Sequence, residues 1–157
     1  MPHYDIDNKP NKKKIKKASK EVAQYLRDLN PSYNFPLINK IVLQEGVYYG
    51  FLKETESGKP VFFQLPPKYC RSRFKDENGL HVLELDSTYF DVITNNEIER
   101  KAILSIFPKY VQTRYQKRKT LYSSWIEIPP VDGGICFAFD EYFLPPMVAA
   151  SGAISDL

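Results

Sequence analysis

Two histidines, two cysteines and nineteen carboxylates are the side chains that could move a proton, attack an electrophile or hold a metal, so their spacing comes first. His3 lies in a stretch without periodicity and His81 opens a strand-like run, and neither has a partner in a recognisable triad. Both read as solvent-facing or structurally satisfied histidines. Cys70 and Cys136 are far apart, outside any CxxC or Cys/His ligand spacing, and each sits in an apolar, strand-like context. They read as reduced, half-buried thiols of an intracellular product, with a disulfide between them left open. The acids stand singly except for pairs such as Asp76-Glu77 and Asp140-Glu141, which read as solvated turn residues. There is no Gly-rich phosphate loop, GxSxG elbow or HExxH helix. The pattern points away from an enzyme and assigns no catalytic residue, no metal ligand and no cofactor.

The chemistry left is positive charge. Lys9 to Lys20 contains seven lysines and no acid, out of 22 basic and 19 acidic side chains and a net charge of +3; without it the balance is 15 basic against 19 acidic. Lys12, Lys13, Lys14, Lys16 and Lys17 are therefore one candidate nucleic-acid or partner contact, although a solvated helix start or flexible tail is the preferred reading. Lys117, Arg118 and Lys119, together with Lys109 and Arg114, form a second candidate group. Cations near a helix C-terminus are favourable on dipole grounds alone.

Elements must position these side chains. At 157 residues, 43% apolar and rich in Tyr and Phe, the chain can bury a real core, and twelve prolines predict many short elements with hard stops. Residues 1–11 read as a flexible arm and residues 12–157 as a single domain. Ile15, Val22, Leu26 and Leu29 predict a helix over 12–29, ended by Asn30-Pro31. After a turn from Pro31 to Pro36, a second helix over 37–45 is stopped by Gly46. Val47 to Leu52 and Val61 to Leu65 read as a hairpin around Glu56-Ser57-Gly58-Lys59, with Gly50 marking a bulge or a close approach. Cys70 to Lys75 and Leu80 to Phe90 read as a second hairpin around Asn78-Gly79. Tyr48-Tyr49 and Phe62-Phe63 fit cross-strand packing better than base stacking, because an RNA-binding sheet would present more basic neighbours.

Asn95-Asn96-Glu97 caps a helix carrying Ile98, Ala102, Ile103 and Ile106, and Pro108 opens another through Tyr110, Val111, Arg114, Tyr115 and Arg118. Trp125 to Ile128 and Ile135 to Phe139 read as a last pair of strands about Gly133-Gly134, followed by a helix from Pro146 that is still apolar at Leu157. That ending predicts a polypeptide that continues or a terminus that docks on another chain. No run approaches the ~20 apolar residues of a membrane span, and no signal-peptide core is present, so a soluble, membrane-free protein made in a cytoplasm is expected. Strands arriving as hairpins rather than alternating with helices predict an α+β fold, with a mainly antiparallel sheet packed with several short helices.

Taken in order, Phe35-Pro36-Leu37-Ile38-Asn39-Lys40, Tyr48-Tyr49-Gly50-Phe51, the run Leu65-Pro66-Pro67-Lys68-Tyr69-Cys70-Arg71-Ser72-Arg73, Tyr89-Phe90, Phe107-Pro108-Lys109-Tyr110, the single Trp125 and Pro145-Pro146 resemble the N-terminal, wing-like portion of portal proteins from tailed bacteriophages. The resemblance covers about Pro36 to Leu157, and portal subunits continue well beyond that point. It implies a non-enzymatic virion protein at a capsid vertex, assembled in the bacterial host as a homo-oligomeric ring, a dodecamer in the family. It also implies contacts with capsid protein, terminase, head-to-tail connectors and the double-stranded DNA that passes through the ring. A heterologous ring accounts for charge-segregated surfaces, since each subunit shows two different faces to its neighbours. The alternative is a small nucleic-acid-binding protein using the lysine-rich segment; a hydrolase or nuclease ranks last.

Overall fold

A computed structural model describes residues 11–146. Of the arm expected over 1–11, residues 1–10 with His3 lie outside the described residues, as does the terminal helix expected from Pro146 apart from Pro146 itself. The chain forms helices α1 (Lys12–Leu29) and α2 (Pro31–Glu45), strands β1 (Val47–Glu54), β2 (Pro60–Gln64), β3 (Cys70–Arg71) and β4 (Leu83–Asp86), helices α3 (Tyr89–Val92), α4 (Glu97–Leu104) and α5 (Lys109–Gln116), then β5 (Trp125–Ile128) and β6 (Gly134–Ala138). Helices and antiparallel hairpins combine in an α+β fold, with two three-stranded sheets in the orders β2-β1-β6 and β3-β4-β5.

Caps set the helix limits where the sequence signals them. The Asn11 side chain accepts from the Lys13 N–H, Asn96 does the same for the Ile98 N–H, and Gly46 ends α2 at a φ of 86°. The turn expected from Pro31 to Pro36 is instead the beginning of α2. Asn30 alone reverses the chain, at φ 47° and ψ 61°, and Pro31 takes the first helical position, where its missing N–H costs nothing. Pro36 therefore lies inside the helix, as its sixth residue, where its missing N–H leaves the Ser32 carbonyl without its helical bond. One position also differs at Pro108, which is the cap residue before α5 rather than its first residue.

β1 is the centre of the first sheet and is buried on both faces. Val47, Tyr49 and Phe51 join Cys136 in the main core, while Tyr48 packs with Ile38 and Val42 of α2. Gly50 stays in register, and the close approach is that of the Tyr48 ring, which occupies the space a Cβ would need. A chain of rings ties this sheet to the helices. Phe51 stacks on Phe107 at 4.8 Å, and the fully buried Phe90 meets Phe107 and Tyr115 edge-on at 5.2 and 5.3 Å.

The second hairpin is shorter than its sequence suggests. β4 ends at Asp86, whose carboxylate accepts the Thr88 N–H and turns the chain into α3, so Phe90 is a helical core residue and not the end of a strand. Between the Arg71–Glu84 pair and the Lys75–His81 bridge the register slips by one residue, which places a bulge around Ser72 to Phe74. Leu83, Leu85, Ile126 and Ile128 point into the core, and Glu84, Trp125 and Glu127 point out.

Glu84 is nevertheless only 1% exposed, because the bulge turns Arg73 back on it at 2.7 and 2.8 Å while Arg71 grips both oxygens at 3.3 Å. The Arg71 guanidinium also lies 3.9 Å over the Trp125 ring. Glu127 stands directly opposite Glu84, a like-charge pair that the two arginines neutralise.

The largest correction concerns the last two strands, which do not pair with each other. β5 pairs with β4 and β6 with β1, so Pro129 to Gly133 carries the chain from one sheet to the other. Both glycines are required there. A Cβ on Gly133, whose φ is 96°, would overlap the Leu52 carbonyl, and one on Gly134 would overlap the Ile128 carbonyl.

Two outcomes are expected. Gly134→Ala should lower stability by about 2–4 kcal/mol in urea unfolding, since backbone rather than a flexible side chain must move. Replacing Arg71 and Arg73 together by alanine strands a buried carboxylate and should cost about 3–5 kcal/mol, more than Glu84→Gln at about 1–2 kcal/mol; the reverse order would contradict this account of the cluster. Burial pushes the Glu84 carboxyl up, but the Arg73 and Arg71 hydrogen bonds and charges hold it below its usual value of 4.5. Its stabilisation is therefore complete above that value and lost as pH falls through the depressed one, so Glu84→Gln should flatten the loss of stability as pH falls below 4.5.

Candidate partner-binding surface

The two cysteines, His81 and several of the described acids take part in structural contacts. Burial, reinforced for Cys70 by the Cys136 charge, pushes both thiols up to about 12, and both are free and buried in the main core. His81 packs edge-on against Phe143 at 5.2 Å, and burial followed by the nearby Lys75 lowers its pKa, with Glu141 opposing. Asp76 accepts the Asn78 and Leu80 N–H groups and builds the hairpin turn, Asp140 accepts the Tyr142 N–H, and Glu141 pairs with Lys75. Among the described residues no three His, Cys, Asp or Glu side chains gather as a metal site.

The two cationic groups behave differently. Lys12, Lys13, Lys14, Lys16 and Lys17 are all exposed on the first half of α1, and no ion pair among the described residues involves them. This helix buries no residue. Ile15, Val22 and Leu26 are 51%, 59% and 50% exposed, and only Ala23, Tyr25, Asp28 and Leu29, towards its C-terminal end, are partly covered. α1 rests on α2 and β2. The second group is divided by the fold. Arg118 is tied to Asp91 through Nε and Nη2 at 3.2 and 3.0 Å and lies over the Tyr115 ring, whose hydroxyl donates to the same carboxylate at 2.7 Å. Lys117 and Lys119 remain exposed beside it. The run 117–119 is thus one structural arginine flanked by two solvated lysines, on a different element from the α1 lysines.

A cleft of about 410 Å³ lies over the outer face of the second sheet, between Arg73, Glu84, Arg114, Trp125 and Glu127. Its acids and arginines are mixed, and its deepest carboxylate is already saturated by two guanidinium groups.

The apolar surface is concentrated elsewhere. Phe35 and Leu37 of α2 are about half exposed, and Phe137 and Phe139, on and just after β6, are 46% and 63% exposed. Between them, clefts of about 540 and about 320 Å³ share Phe35, Phe137 and Ala138 and run the length of β6. Sequence reasoning put Phe137 and Phe139 on one face and stopped there. The signal that could have led further is this Phe-x-Phe alternation, which no apolar stripe on a following strand answers. No helix among the described residues is long and apolar enough to cross a membrane.

With both thiols near 12, native thiol titration at about pH 8 with an aromatic disulfide reagent should run at least about a thousandfold slower than in the unfolded chain. A fast-reacting thiol in the native state would contradict the buried placement of Cys70 or Cys136. Set against protein-family models, the curated proteins and the solved structures, the chain matches none.

Proposed function

We propose that this chain is the wing-like portion of a portal subunit, a structural virion protein whose copies form a ring at one capsid vertex, through which double-stranded DNA is packaged and ejected. The observation that carries the reading is the distribution of unfinished surface. Several of the described polar side chains that could do chemistry are engaged internally, as Glu84 is by Arg71 and Arg73 and as Asp91 is by Arg118 and Tyr115. Two chemically different faces are left open: the lysine-flanked apolar stripe of α1, and the largely apolar edge along β6. A closed ring needs such a pair, because each subunit meets one neighbour through one face and the next neighbour through another. The resemblance of about Pro36 to Leu157 to portal sequences is what suggests the portal family. On this reading the protein hydrolyses nothing. Its partners are its own copies, capsid protein, terminase, head-to-tail connectors and DNA, and its place is the virion.

The nucleic-acid reading has one observation in its favour, the exposure of Lys12 to Lys17 on a helix that the body covers only at its far end. The two readings separate experimentally. Native mass by light scattering, with negative-stain images, is expected to show rings with a central hole for the chain extended past Leu157. A monodisperse monomer for both the 157-residue and the extended chain would overturn the portal proposal. On the nucleic-acid reading, duplex binding is micromolar and steep in salt. Glutamine at Lys12, Lys13, Lys14, Lys16 and Lys17 would then flatten the log–log salt slope by up to about 4–5 units, at roughly 0.9 per phosphate contact.

A further inference from the structure

β6 is an edge strand, and the pairing of its neighbour shows which of its main-chain groups are open. The Leu52 N–H donates to the Gly133 carbonyl at 2.8 Å, whereas the Tyr49 carbonyl accepts from the Leu65 N–H on the β2 side at 2.9 Å. Hydrogen-bonded and non-bonded pairs alternate along an antiparallel ladder. In the observed register, Gly50–Ile135 and Tyr48–Phe137 are then the bonded pairs, and Tyr49–Cys136 and Val47–Ala138 are not. The N–H and C=O of Cys136 and Ala138 therefore face away from β1. No other hydrogen bond among the described residues reaches them.

These groups open into a cleft and not onto a flat surface. They lie along the cleft of about 540 Å³, between Tyr25, Leu29 and Phe35 at the corner of α1 and α2 and Leu80 and His81 at the tip of the second hairpin. Cys136 is only 7% exposed. Main-chain donors and acceptors without a partner among the described residues, in a largely apolar cleft that Lys75 and His81 also line, are costly, and the partner that satisfies them at two-residue spacing is another extended backbone.

The dimensions agree. A strand takes about 3.4 Å along its axis, 4.8 Å to its neighbour and 10 Å through the sheet, so this cleft has room for about three residues and the adjoining 320 Å³ for about two more. That matches the five residues of β6. The helix corner and the hairpin tip flank the space beside β6.

We propose that the β6 cleft is a strand-addition site for a single extended segment of a partner polypeptide, apolar at alternate residues and carrying free N–H groups opposite Cys136 and Ala138. This goes beyond the portal reading and does not depend on it. Side chains on one face of the segment would meet Phe35 and Phe137, and those on the other Leu80 and His81, while the backbone supplies the hydrogen bonds.

Ala138→Pro tests it, because the N–H it removes points outward and no bond to β1 is lost. The full chain and this variant are panned with a displayed library of random octapeptides. Peptides enriched on the unaltered chain should be apolar at i, i+2 and i+4, and a synthetic copy should slow amide exchange at Cys136 and Ala138. Ala138→Pro should weaken that peptide at least about fivefold, the value of one main-chain hydrogen bond. Should the variant unfold, N-methylating the peptide at alternate residues makes the same comparison on the unaltered protein, with the same expected loss. The proposal is overturned by no enrichment, by helical spacing among the enriched peptides, by indifference to N-methylation, or by a dimer of this chain that pairs β6 with β6 and excludes the peptide.

Discussion

Gly133 and Gly134 pass between two carbonyls, that of Leu52 on β1 and that of Ile128 on β5, and the rest of the architecture depends on that passage. Because no side chain intervenes, the chain can leave the second sheet at Ile128 and enter the first at Gly134 within six residues. The two sheets are thereby held close enough for Cys136 of one and Leu83, Leu85 and Ile128 of the other to share a core. The crossing also sets β6 beside β1, so that its open edge lies along the cleft lined by Phe35 and Phe137.

Charge is handled by local saturation. Glu84 stands on the outer face of its sheet by the alternation of β4, yet it is sealed from water by two guanidinium groups and the Trp125 ring. A carboxylate held this way resists protonation and binds no further ligand, which makes it a rivet and not a reactive group. Asp91 plays the same part where Tyr115 and Arg118 converge on it and hold α3 against α5. The lysines of α1 form no such pairs among the described residues. The contrast separates cations that stabilise this fold from cations open to a partner.

Two surfaces of different chemistry are exposed on one molecule. α1 presents a half-covered apolar stripe beside a dense positive charge, and β6 presents main chain in a cleft of mixed aromatic and aliphatic side chains with Lys75 and His81. A surface of the first kind is screened by salt, while one of the second kind depends on shape and hydrogen-bond register. Association through both would respond to solution conditions in two distinct ways.

Much of this was legible in the residues, and the reason is locality. Asn11, Asn96 and Gly46 cap helices through atoms two to four positions away, Asn78-Gly79 closes its own turn, and the alternation in Leu83 to Asp86 and Trp125 to Ile128 separates an inner from an outer face wherever the strand lies. The lysine run was visible as composition. Strand partnership was not, because an antiparallel ladder offers the same donors and acceptors to any neighbour, and adjacency in sequence favoured pairing β5 with β6. The bulge that folds Arg73 onto Glu84, and the division of Lys117, Arg118 and Lys119 by Asp91, likewise required residues 11 to 27 positions apart to meet. The sequence by itself determined the elements, their faces and where charge accumulates, since those are set within a few residues. Only the tertiary structure decided which edges stay open and which charges are saturated, because both depend on contacts between distant segments.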